Sequence, residues 1–449
     1  MAHRDSPFGR CGSNLGVMGA KMPFPDDEPR GDMEWATSRL TGPEGEDWRV
    51  PVSELEDRQA RLASRLAELE INSALIDDPV ELYWLTGGRQ NSSLIIGADG
   101  SGIQTKHWVR RSLERARFEA GGDDCPHEIE LHPRMSSLGQ ELMSSGCTEK
   151  PALLSGKIPH DRWAFLSSKM SVMSGGSLDC TRVLYELREE KSEWEVAMIR
   201  ESGEVNRMMF EAVLENGGLG KSELEMAGAA DEVSRRAGFG GRIRMRKWPM
   251  DCDRVVIAAG RSGAVPTYFD SAVGGTGGSP ISSLGAGFSV VKEGQPVLVD
   301  IVHVHRGYVS DCTRMFSAGK LPSEWGSRLE DMGEISSEIV RSLGRGEDCS
   351  QAWENGVNIA SEMGHSENLM GIMPHQASFL GHSVGLELDE TPVVASGFDR
   401  PLPRGGTMAI EPKVIHPEGA IGIEDTWVRL DDGMVCLTAG DDFPMISEW

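Results

Sequence analysis

Two stretches in the last third of this chain constrain it most, because each places acidic residues at the ends of an apolar hairpin pattern. The first runs from Asp300 to Asp311 and has a turn predicted at His305-Arg306. With that turn, Asp300 lies directly opposite Asp311. Facing side chains in a hairpin have Cβ atoms about 5 Å apart, and like charges at that distance are destabilising unless a cation lies between them. The stretch therefore predicts a cation site.

The second stretch repeats this arrangement. Apolar strands flank a turn at Pro417-Glu418, which places Glu411 across from Glu424. Between the two hairpins lies His382, in a segment whose flanking glycines indicate a backbone that passes close to another group. Four carboxylates and one imidazole form a hard ligand set suited to divalent metals. The two stretches together predict a site for two divalent metal ions.

The alternative is that these residues are ordinary charges. Aspartate and glutamate make up 70 of the 449 residues, so any single acid is more often a solvated surface charge. A lone histidine is likewise more often a packed or surface residue than a ligand. Two facing acidic pairs within apolar strands, with a histidine between them, favour the metal site over coincidence.

These segments resemble the pita-bread metallopeptidase superfamily, which includes methionine aminopeptidase, aminopeptidase P, prolidase and creatinase. The segments that carry the resemblance are Asp300, Gly307–Arg314, Gly381–Glu387, Ile410–Pro412 and Gly422–Thr426. The likeness extends weakly over residues 50 to 440. It implies an α+β fold, in which a smaller α/β domain of the creatinase and prolidase type precedes a pita-bread catalytic domain.

The resemblance also assigns the ligands. Asp300 would chelate one metal, His382 and Glu411 would hold the other, and Asp311 and Glu424 would bridge the pair. Two divalent ions are therefore expected, with manganese, iron, cobalt and zinc all compatible with the donors. Creatinase lacks these ligands, so the chain does not resemble a creatinase.

Two positions depart from the peptidases of this superfamily. The peptidases place a second histidine, which contacts the substrate, seven residues after the ligand histidine, and here that residue is Asp389. They place another histidine after a proline in the strand before the first metal aspartate, and here Thr267 follows Pro266. Both replacements lie outside the metal ligands, so they leave the metal prediction intact and the reaction type open.

We expect a hydrolase that cleaves an amide or Xaa-Pro peptide-like C–N bond in a small molecule or short peptide. Asp389, Glu411 and His382 are the predicted catalytic residues. Thr267, Tyr268 and Arg314 are predicted to contact the substrate.

Two other functions remain open. The segment Asp389–Pro392 resembles one in the metal-dependent dimethylsulfoniopropionate lyases of the superfamily, where the aspartate is the base for β-elimination. Its spacing from His382 is one residue longer here, and Val302 stands where those lyases have an additional metal aspartate. The second alternative is a non-catalytic binding protein on a peptidase fold.

Composition limits the partners. The net charge of −25 argues against nucleic acid and anionic membranes. The N-terminus lacks the pattern of a signal peptide, so a cytoplasmic location is expected, and a homodimer is predicted. The eight cysteines are scattered, which indicates reduced thiols. Cys312, beside a predicted ligand, would be either a core residue or a redox-sensitive thiol.

The pattern along the chain predicts three parts, namely an irregular arm over 1–45, an α/β domain over 46–182 and the catalytic domain over 183–449. The arm could pack on a neighbouring subunit. The predicted elements are a helix over Glu54–Glu70, strands at Ser73–Ile76 and Ser93–Gly97, a basic helix bearing Arg110, Arg111, Arg115 and Arg117, a long helix from Glu186 to Gly217, a helix capped by Ser222–Glu225, and helices over Ser323–Leu343 and Gln351–Met363. The basic helix is either a solvated face or a site for an anionic group.

The glycine-rich stretch Gly274–Pro280 lacks the Gly-Lys-Ser/Thr ending of a phosphate-binding loop. We expect a loop near the active site instead. Three aromatic residues, Tyr268, Trp248 and Trp84, could line the pocket or pack in the core.

Overall fold

The computed structural model describes residues 42, 45–170, 178–248 and 250–449. The helices are α1 Val52–Glu68, α2 Pro79–Thr86, α3 Leu113–Glu119, α4 Leu138–Ser144, α5 His160–Met170, α6 Thr181–Glu189, α7 Glu193–Asn216, α8 Glu223–Arg236, α9 Ser323–Gly344 and α10 Cys349–Glu362. The strands are β1 Ser73–Ile76, β2 Ser92–Gly97, β3 Lys106–Val109, β4 Glu128–Leu131, β5 Ala152–Leu153, β6 Leu178–Asp179, β7 Val255–Ala259, β8 Val297–His305, β9 Tyr308–Ser317, β10 Phe379–Ser383, β11 Glu390–Ala395, β12 Thr407–Ile410, β13 Lys413–His416, β14 Gly419–Gly422, β15 Asp425–Leu430, β16 Gly433–Cys436 and β17 Ile446–Glu448.

All of these elements belong to the unit Trp48–Trp449, and Met1–Asp47 form a separate unit. The predicted arm over 1–45 lies outside the described residues, except for Gly42 and Gly45. The predicted boundary between residues 182 and 183 falls inside α6. The division into three parts stays a prediction.

A six-stranded mixed sheet with helices against it forms the first half of the larger unit. Its strand order is β4-β3-β2-β1-β5-β6, with β1 antiparallel to β2 and parallel to β5. Helix α1 begins at Val52 and buries Leu55, Leu62 and Leu66. Strand β1 has the predicted bounds Ser73–Ile76. The alternation of helices and strands matches the α/β arrangement predicted here.

The basic run is only partly helical. Arg110 and Arg111 precede α3, contrary to the prediction. The reason is Ser112, whose φ of 56° lies in the left-handed region and separates the extended chain from the helix. Within α3, Arg115 Nε lies 2.7 Å from Glu119 Oε1 on an exposed face. This pair favours the solvated-face interpretation of the basic run.

The long helix predicted from Glu186 is interrupted. Helix α6 ends at Glu189, and α7 begins after Ser192. The Ser192 hydroxyl accepts the N–H of Glu195, and the Glu195 carboxylate accepts the N–H of Ser192. This reciprocal capping box starts a new helix, which the hydrophobic periodicity alone did not reveal. The predicted end at Gly217 is confirmed.

Two sheets and a hairpin form the second half. The four-stranded sheet has the order β17-β9-β8-β7, the five-stranded sheet has the order β11-β10-β12-β15-β16, and β13 pairs with β14. Helices α7 and α8 pack on the first sheet, α9 on β14 and β16, and α10 on β11. The buried apolar face of α9 includes Met332, Ile335 and Ile339. Among the described helices, none is long and apolar enough to cross a membrane.

The β8–β9 hairpin differs from the prediction by a register shift of two. Asp300 pairs with Thr313, and Asp311 pairs with Val302. The turn is Arg306-Gly307, whose φ angles of 49° and 96° both lie in the left-handed region typical of a type I′ turn. A shift of two keeps Asp300 and Asp311 on the same face, because side chains alternate with a period of two. The acids are therefore diagonal neighbours, and the prediction that they face each other directly is wrong.

The second acidic hairpin has the predicted register. Ile410 pairs with Asp425, and Lys413 pairs with Gly422. These two pairings enclose Glu411 and Glu424 and place the two glutamates across from each other. The two strands thus carry two carboxylates to the same place as those of the first hairpin.

A buried ion network joins α6 to the start of β11. The Arg188 guanidinium donates to Glu81, at 2.6 Å from Oε1, and to Glu390. The Lys191 ammonium lies 3.0 Å from Glu390 Oε2. Glu390 belongs to the segment that resembles the lyases. Its carboxylate is committed to holding the two halves of the unit together.

This network predicts a pH-dependent contribution to stability. Burial alone would raise the pKa of Glu390, but Arg188 and Lys191 outweigh it and lower the pKa to about 2. The ionised carboxylate therefore stabilises the fold above the ordinary pKa of 4.5, and this stabilisation is lost as the pH falls from there towards 2. We expect Glu390→Gln to lower the free energy of unfolding by about 3 kcal/mol at pH 7. At pH 4 the difference from wild type should be about 1 kcal/mol smaller.

Urea denaturation at the two pH values measures both quantities. The matched control is Glu128→Gln, whose side chain is 50% exposed beside Lys106. Its effect should stay within about 0.5 kcal/mol. A loss in Glu390→Gln that is no larger than in the control, or that does not change with pH, would contradict the assignment.

Candidate metal centre

The structure brings the five predicted metal ligands together from both hairpins and from β10. The ligands are Asp300 on β8, Asp311 on β9, His382 on β10, Glu411 directly after β12 and Glu424 directly before β15. Glu424 also forms an antiparallel bridge with Thr313, the residue that pairs with Asp300. This bridge brings the second acidic hairpin against the first.

Three of the ligands lie close enough to share one ion. Donor atoms of Asp311, His382 and Glu424 all lie within 4.8 Å of one another. His382 Nε2 lies 3.8 Å from Asp311 Oδ2 and 3.5 Å from Glu411 Oε1. The other ring nitrogen, Nδ1, lies 3.4 Å from the carbonyl oxygen of Ser383. That contact orients the ring so that Nε2 faces the carboxylates.

Two buried carboxylate oxygens in this group lack a partner. Asp311 Oδ1 and Glu424 Oε1 make no hydrogen bond within the part of the chain that the structure describes. An unpartnered buried polar atom is costly, and for charged groups the cost is larger. A divalent cation between these atoms would remove that cost, and the oxygen and nitrogen donors suit such an ion. The residues present therefore fit a metal at Asp311, His382 and Glu424.

The electrostatics of the cluster point the same way. Burial, reinforced by Glu424, raises the pKa of Asp311 well above its usual range. Burial also raises the pKa of Glu424 to about 8, although Lys413 acts in the opposite direction. For Glu411, burial is outweighed by Lys413 and His382, which lower its pKa to about 2. The cluster thus holds too little positive charge to compensate both Asp311 and Glu424, the two acids with unpartnered oxygens.

Lys413 is the site residue that the sequence analysis missed. Its ammonium lies 2.6 Å from Glu411 Oε2, 2.8 Å from Glu424 Oε2 and 3.4 Å from Asp300 Oδ2. The side chain is completely buried. Two features of the sequence could have indicated it. Lys413 is a charged residue in an apolar strand, and it is two positions from a predicted ligand, where an extended chain presents the same face.

A cavity of about 330 Å³ opens beside the cluster. Asp300, Asp311, His382 and Glu411 line one part of it. The rest of its wall is largely apolar and includes Met245, Met250, Phe269, Phe379, Leu388 and Phe398. Val273 and Leu284, which flank the glycine-rich stretch, also line it, as expected for a loop near the site. The ligand cluster is therefore accessible to a small molecule with an apolar part.

Asp389 lines the same cavity, outside the ligand cluster. Its carboxylate accepts the backbone N–H of Arg246 at 2.5 Å and that of Lys247 at 3.0 Å. These two bonds attach the segment at 246–247 to the start of β11. They also hold the Asp389 carboxylate in one orientation.

The three residues predicted to contact the substrate lie elsewhere. Thr267 lines an adjoining cavity of about 240 Å³, which shares residues 269–271 with the first. Tyr268 is 55% exposed and donates its hydroxyl to Asp251. Arg314 is completely buried, with Nη2 at 3.0 Å from both carboxylate oxygens of Asp425.

The substrate contact predicted for Arg314 does not fit this structure. Its Nη1 also donates to the carbonyl of Glu424 at 3.0 Å, so the guanidinium holds in place the strand end that carries a ligand.

Two further expectations are settled by burial. Cys312 is a buried core residue, and Trp84 packs in the first half of the unit, where it donates to Glu195. Trp248 is 91% exposed.

Residues 197–429, more than half of the chain, match the model of metallopeptidase family M24. The chain belongs to this family. The Xaa-Pro dipeptidase of Pyrococcus horikoshii is 25% identical over 369 residues, which cover 82% of this chain and 93% of that protein. The predicted membership of the metallopeptidase superfamily is therefore confirmed.

Solved structures show the same fold. The Xaa-Pro dipeptidase of Bacillus anthracis matches with a TM-score of 0.72 and 19% identity, over 88% of this chain and 100% of that one. The X-Pro aminopeptidase of Thermotoga maritima matches with a TM-score of 0.70 and 19% identity, over 87% of this chain and 99% of that one. The predicted α+β pita-bread fold, with a preceding N-terminal domain, is confirmed.

The unpartnered oxygens lead to a prediction about stability. A ligand that binds only the folded state stabilises it, by about 2.7 kcal/mol at a concentration one hundred times its dissociation constant. We expect Mn²⁺ to raise the unfolding temperature of the wild type and to have almost no effect on Asp311→Asn. Without metal the variant should be at least as stable as the wild type, because the substitution removes one of several buried carboxylates that repel one another.

Thermal unfolding with and without Mn²⁺ measures both effects. Asp253→Asn is the matched control, because Asp253 lines the same cavity but lies outside the ligand cluster. It should keep the response to Mn²⁺. Equal stabilisation of Asp311→Asn and the wild type would show that Asp311 is not a ligand.

Proposed function

We propose that this chain is a metal-dependent hydrolase of an amide or peptide-like C–N bond in a small substrate. The observation that carries the proposal is the buried cluster of Asp311, His382 and Glu424, with two unpartnered carboxylate oxygens, beside a cavity of about 330 Å³. Relatives named as Xaa-Pro dipeptidases and aminopeptidases support hydrolysis of this bond type.

Asp311, His382 and Glu424 would hold the metal, with Glu411 Oε1 beside them. A bound divalent cation would supply polarisation of a substrate carbonyl and activation of a water molecule. His382 presents Nε2 to this position because Nδ1 faces a backbone carbonyl. The buried carboxylates keep the ligand geometry fixed, since Asp311 lies within β9 and Glu411 and Glu424 lie directly beside the paired strands β12 and β15.

Asp389 is the carboxylate proposed to carry the proton. Glu411 is committed to the Lys413 ammonium at 2.6 Å and to His382 at 3.5 Å, so it is a poor proton acceptor. Asp389 lines the cavity and makes no ion pair with the cluster. Its two backbone donors leave further lone pairs on each oxygen. It can therefore exchange a proton with a substrate while its orientation is held.

The cavity indicates the kind of substrate. Its volume of about 330 Å³ lies at the lower end of the range for small-molecule sites. The methionine, leucine and phenylalanine side chains of the wall favour an apolar group next to the scissile amide. The resemblance places Asp389 and Thr267 at the two positions where related peptidases have histidines. We therefore propose a small amide that differs from an ordinary Xaa-Pro dipeptide.

The β-elimination alternative has one observation in its favour, the position of Asp389 in the cavity. Glu390, the next residue of the lyase-like segment, belongs to the buried ion network and does not reach the cavity lining. The relatives reported above are named as peptidases. Elimination is therefore the second outcome to be distinguished by experiment.

The test is turnover of a substrate panel in ¹⁸O-labelled water. The metal-loaded protein is incubated with Xaa-Pro dipeptides, N-acyl amino acids with apolar acyl groups, and dimethylsulfoniopropionate, and products are identified by mass spectrometry. Hydrolysis places ¹⁸O in the carboxylate product, whereas elimination yields an alkene without label. We expect labelled product from an amide. Turnover of dimethylsulfoniopropionate alone, or of nothing with any divalent metal, would refute the proposal.

Asp389→Asn tests the proton carrier. We expect kcat to fall by a factor of about 100 to 10,000, the usual contribution of general acid–base catalysis. Metal content should not change, because Asp389 lies outside the ligand cluster. Both quantities are measured on the same preparation.

The matched control is Asp270→Asn. Asp270 lines the same cavity but pairs with the Lys247 ammonium at 2.5 Å. The control should keep kcat within a small factor of the wild type. If Asp389→Asn also keeps full turnover, Asp389 only anchors the segment at 246–247.

A further inference from the structure

We propose that Lys413 is a permanent cation in the place of one metal ion, so that this site binds one divalent metal and not two. The inference rests on the proposed metal centre and adds to it the number of ions. The resemblance to the superfamily assigned no role to Lys413.

The first argument is the position of the ammonium. The resemblance assigns Asp300 to one metal, Glu411 to the other and Glu424 to both. Lys413 Nζ contacts all three, at 3.4 Å, 2.6 Å and 2.8 Å. An ammonium has three donors, and here each has a carboxylate oxygen. The ammonium therefore neutralises charge where a second divalent ion would have to do so.

The second argument is that the backbone makes room for the lysine. Lys413 pairs directly with Gly422 on β14. A Cβ atom at Gly422 would lie 2.4 Å from Lys413 Cγ, so a larger residue there would collide with the lysine side chain. The lysine is completely buried, and its ammonium is directed into the cluster through a strand pair that accommodates it.

The third argument is what remains for a metal. Lys413 uses Oε2 of both Glu411 and Glu424. The donor atoms that Lys413 leaves are both oxygens of Asp311, Oδ1 of Asp300, Oε1 of Glu411, Oε1 of Glu424 and Nε2 of His382. Among these residues, Asp311, His382 and Glu424 have donor atoms within 4.8 Å of one another, and this group does not include Asp300. One cation satisfies this set.

The fourth argument is the cost of displacement. The second ion that the resemblance assigns to Asp300, with Asp311 and Glu424, would compete with the ammonium for oxygens of Asp300 and Glu424. Lys413 is fully buried, and its ion-pair partners among the described residues are Asp300, Glu411 and Glu424. Moving the ammonium aside would leave a buried charge without its partners, which is strongly unfavourable. The single-metal arrangement avoids this cost.

The experiment counts metal ions in the full-length protein. The wild type, Lys413→Met and Lys191→Met are stripped with a chelator, reloaded with Mn²⁺, dialysed and analysed by inductively coupled plasma mass spectrometry. Lys413→Met removes the charge but keeps a side chain of similar length. Lys191→Met is the matched control, because Lys191 is also a buried lysine bonded to a glutamate, Glu390, outside the cluster. Circular dichroism confirms that each variant is folded.

We expect one Mn²⁺ per chain in the wild type and in Lys191→Met, and two in Lys413→Met. Two ions in the wild type would overturn the role of Lys413 and leave the proposed hydrolase intact. One ion in a folded Lys413→Met would also overturn it. No ion in the wild type would refute the metal centre and this inference together.

Electron paramagnetic resonance of the Mn²⁺-loaded wild type makes the test independent of how well the variants fold. A single Mn²⁺ gives the spectrum of an isolated ion, whereas two ions that share carboxylate bridges give an exchange-coupled spectrum. We expect the isolated spectrum. A coupled spectrum in the wild type would overturn the proposal.

Discussion

The constraint on which the rest of this structure depends is the crowding of four carboxylates in one place, three of them buried. Buried like charges repel one another and have lost their water, so they persist only with positive charge or protons among them. The fold supplies part of that charge itself, through the Lys413 ammonium. The negative charge that stays uncompensated lies at Asp311 and Glu424, where two carboxylate oxygens have no partner among the described residues. The proposed metal is the ion that this remaining imbalance requires.

The surrounding structure fixes the cluster through groups that are not ligands. Arg314 pairs with Asp425 and also binds the carbonyl of Glu424, so one buried guanidinium positions a ligand without touching its carboxylate. Thr313 donates its hydroxyl to Glu424 Oε2 at 2.8 Å and bridges to its backbone. The two hairpins are thereby joined at the site. Arg314, which was predicted to contact the substrate, acts here as a support for the strand end that carries Glu424.

The resemblance to the superfamily indicated the fold, and the period of two in the strands indicated that the acidic residues of each hairpin share a face. The second hairpin has the predicted register, and a shift of two in the first still left Asp300 and Asp311 on one face. The turn itself was missed because its position depends on backbone angles, with Arg306 and Gly307 both left-handed. The interrupted helix at Ser192 was missed because a capping box was masked by continuous apolar periodicity.

Other features of the site could not be predicted because they depend on three-dimensional pairing. Whether a buried arginine such as Arg314 faces a substrate or an internal carboxylate is decided by the strand packed against it, which here carries Asp425. Arg314 and Asp425 lie 111 residues apart, so no local pattern indicates that they pair. The predicted register does pair Lys413 with Gly422, but register alone does not give the direction of the lysine side chain. Residue types near a ligand therefore indicate that a role exists, and the packing partner determines which role it is.

The cavity is asymmetric, and this asymmetry bears on the reaction more directly than the ligands do. One part presents the carboxylate cluster, and another part presents methionine, leucine and phenylalanine side chains. Asp389 also lines the cavity, and two backbone N–H groups hold its carboxylate. A peptidase site with histidines offers neutral or cationic donors to a developing oxyanion, whereas an aspartate at such a position offers a proton acceptor. In the proposed hydrolysis, stabilisation of the oxyanion would have to come from the cations of the cluster. With Lys413 bound to three acids, a metal held by Asp311, His382 and Glu424 would supply it, so we expect the choice of metal to control the rate more strongly here than in an enzyme with additional donors.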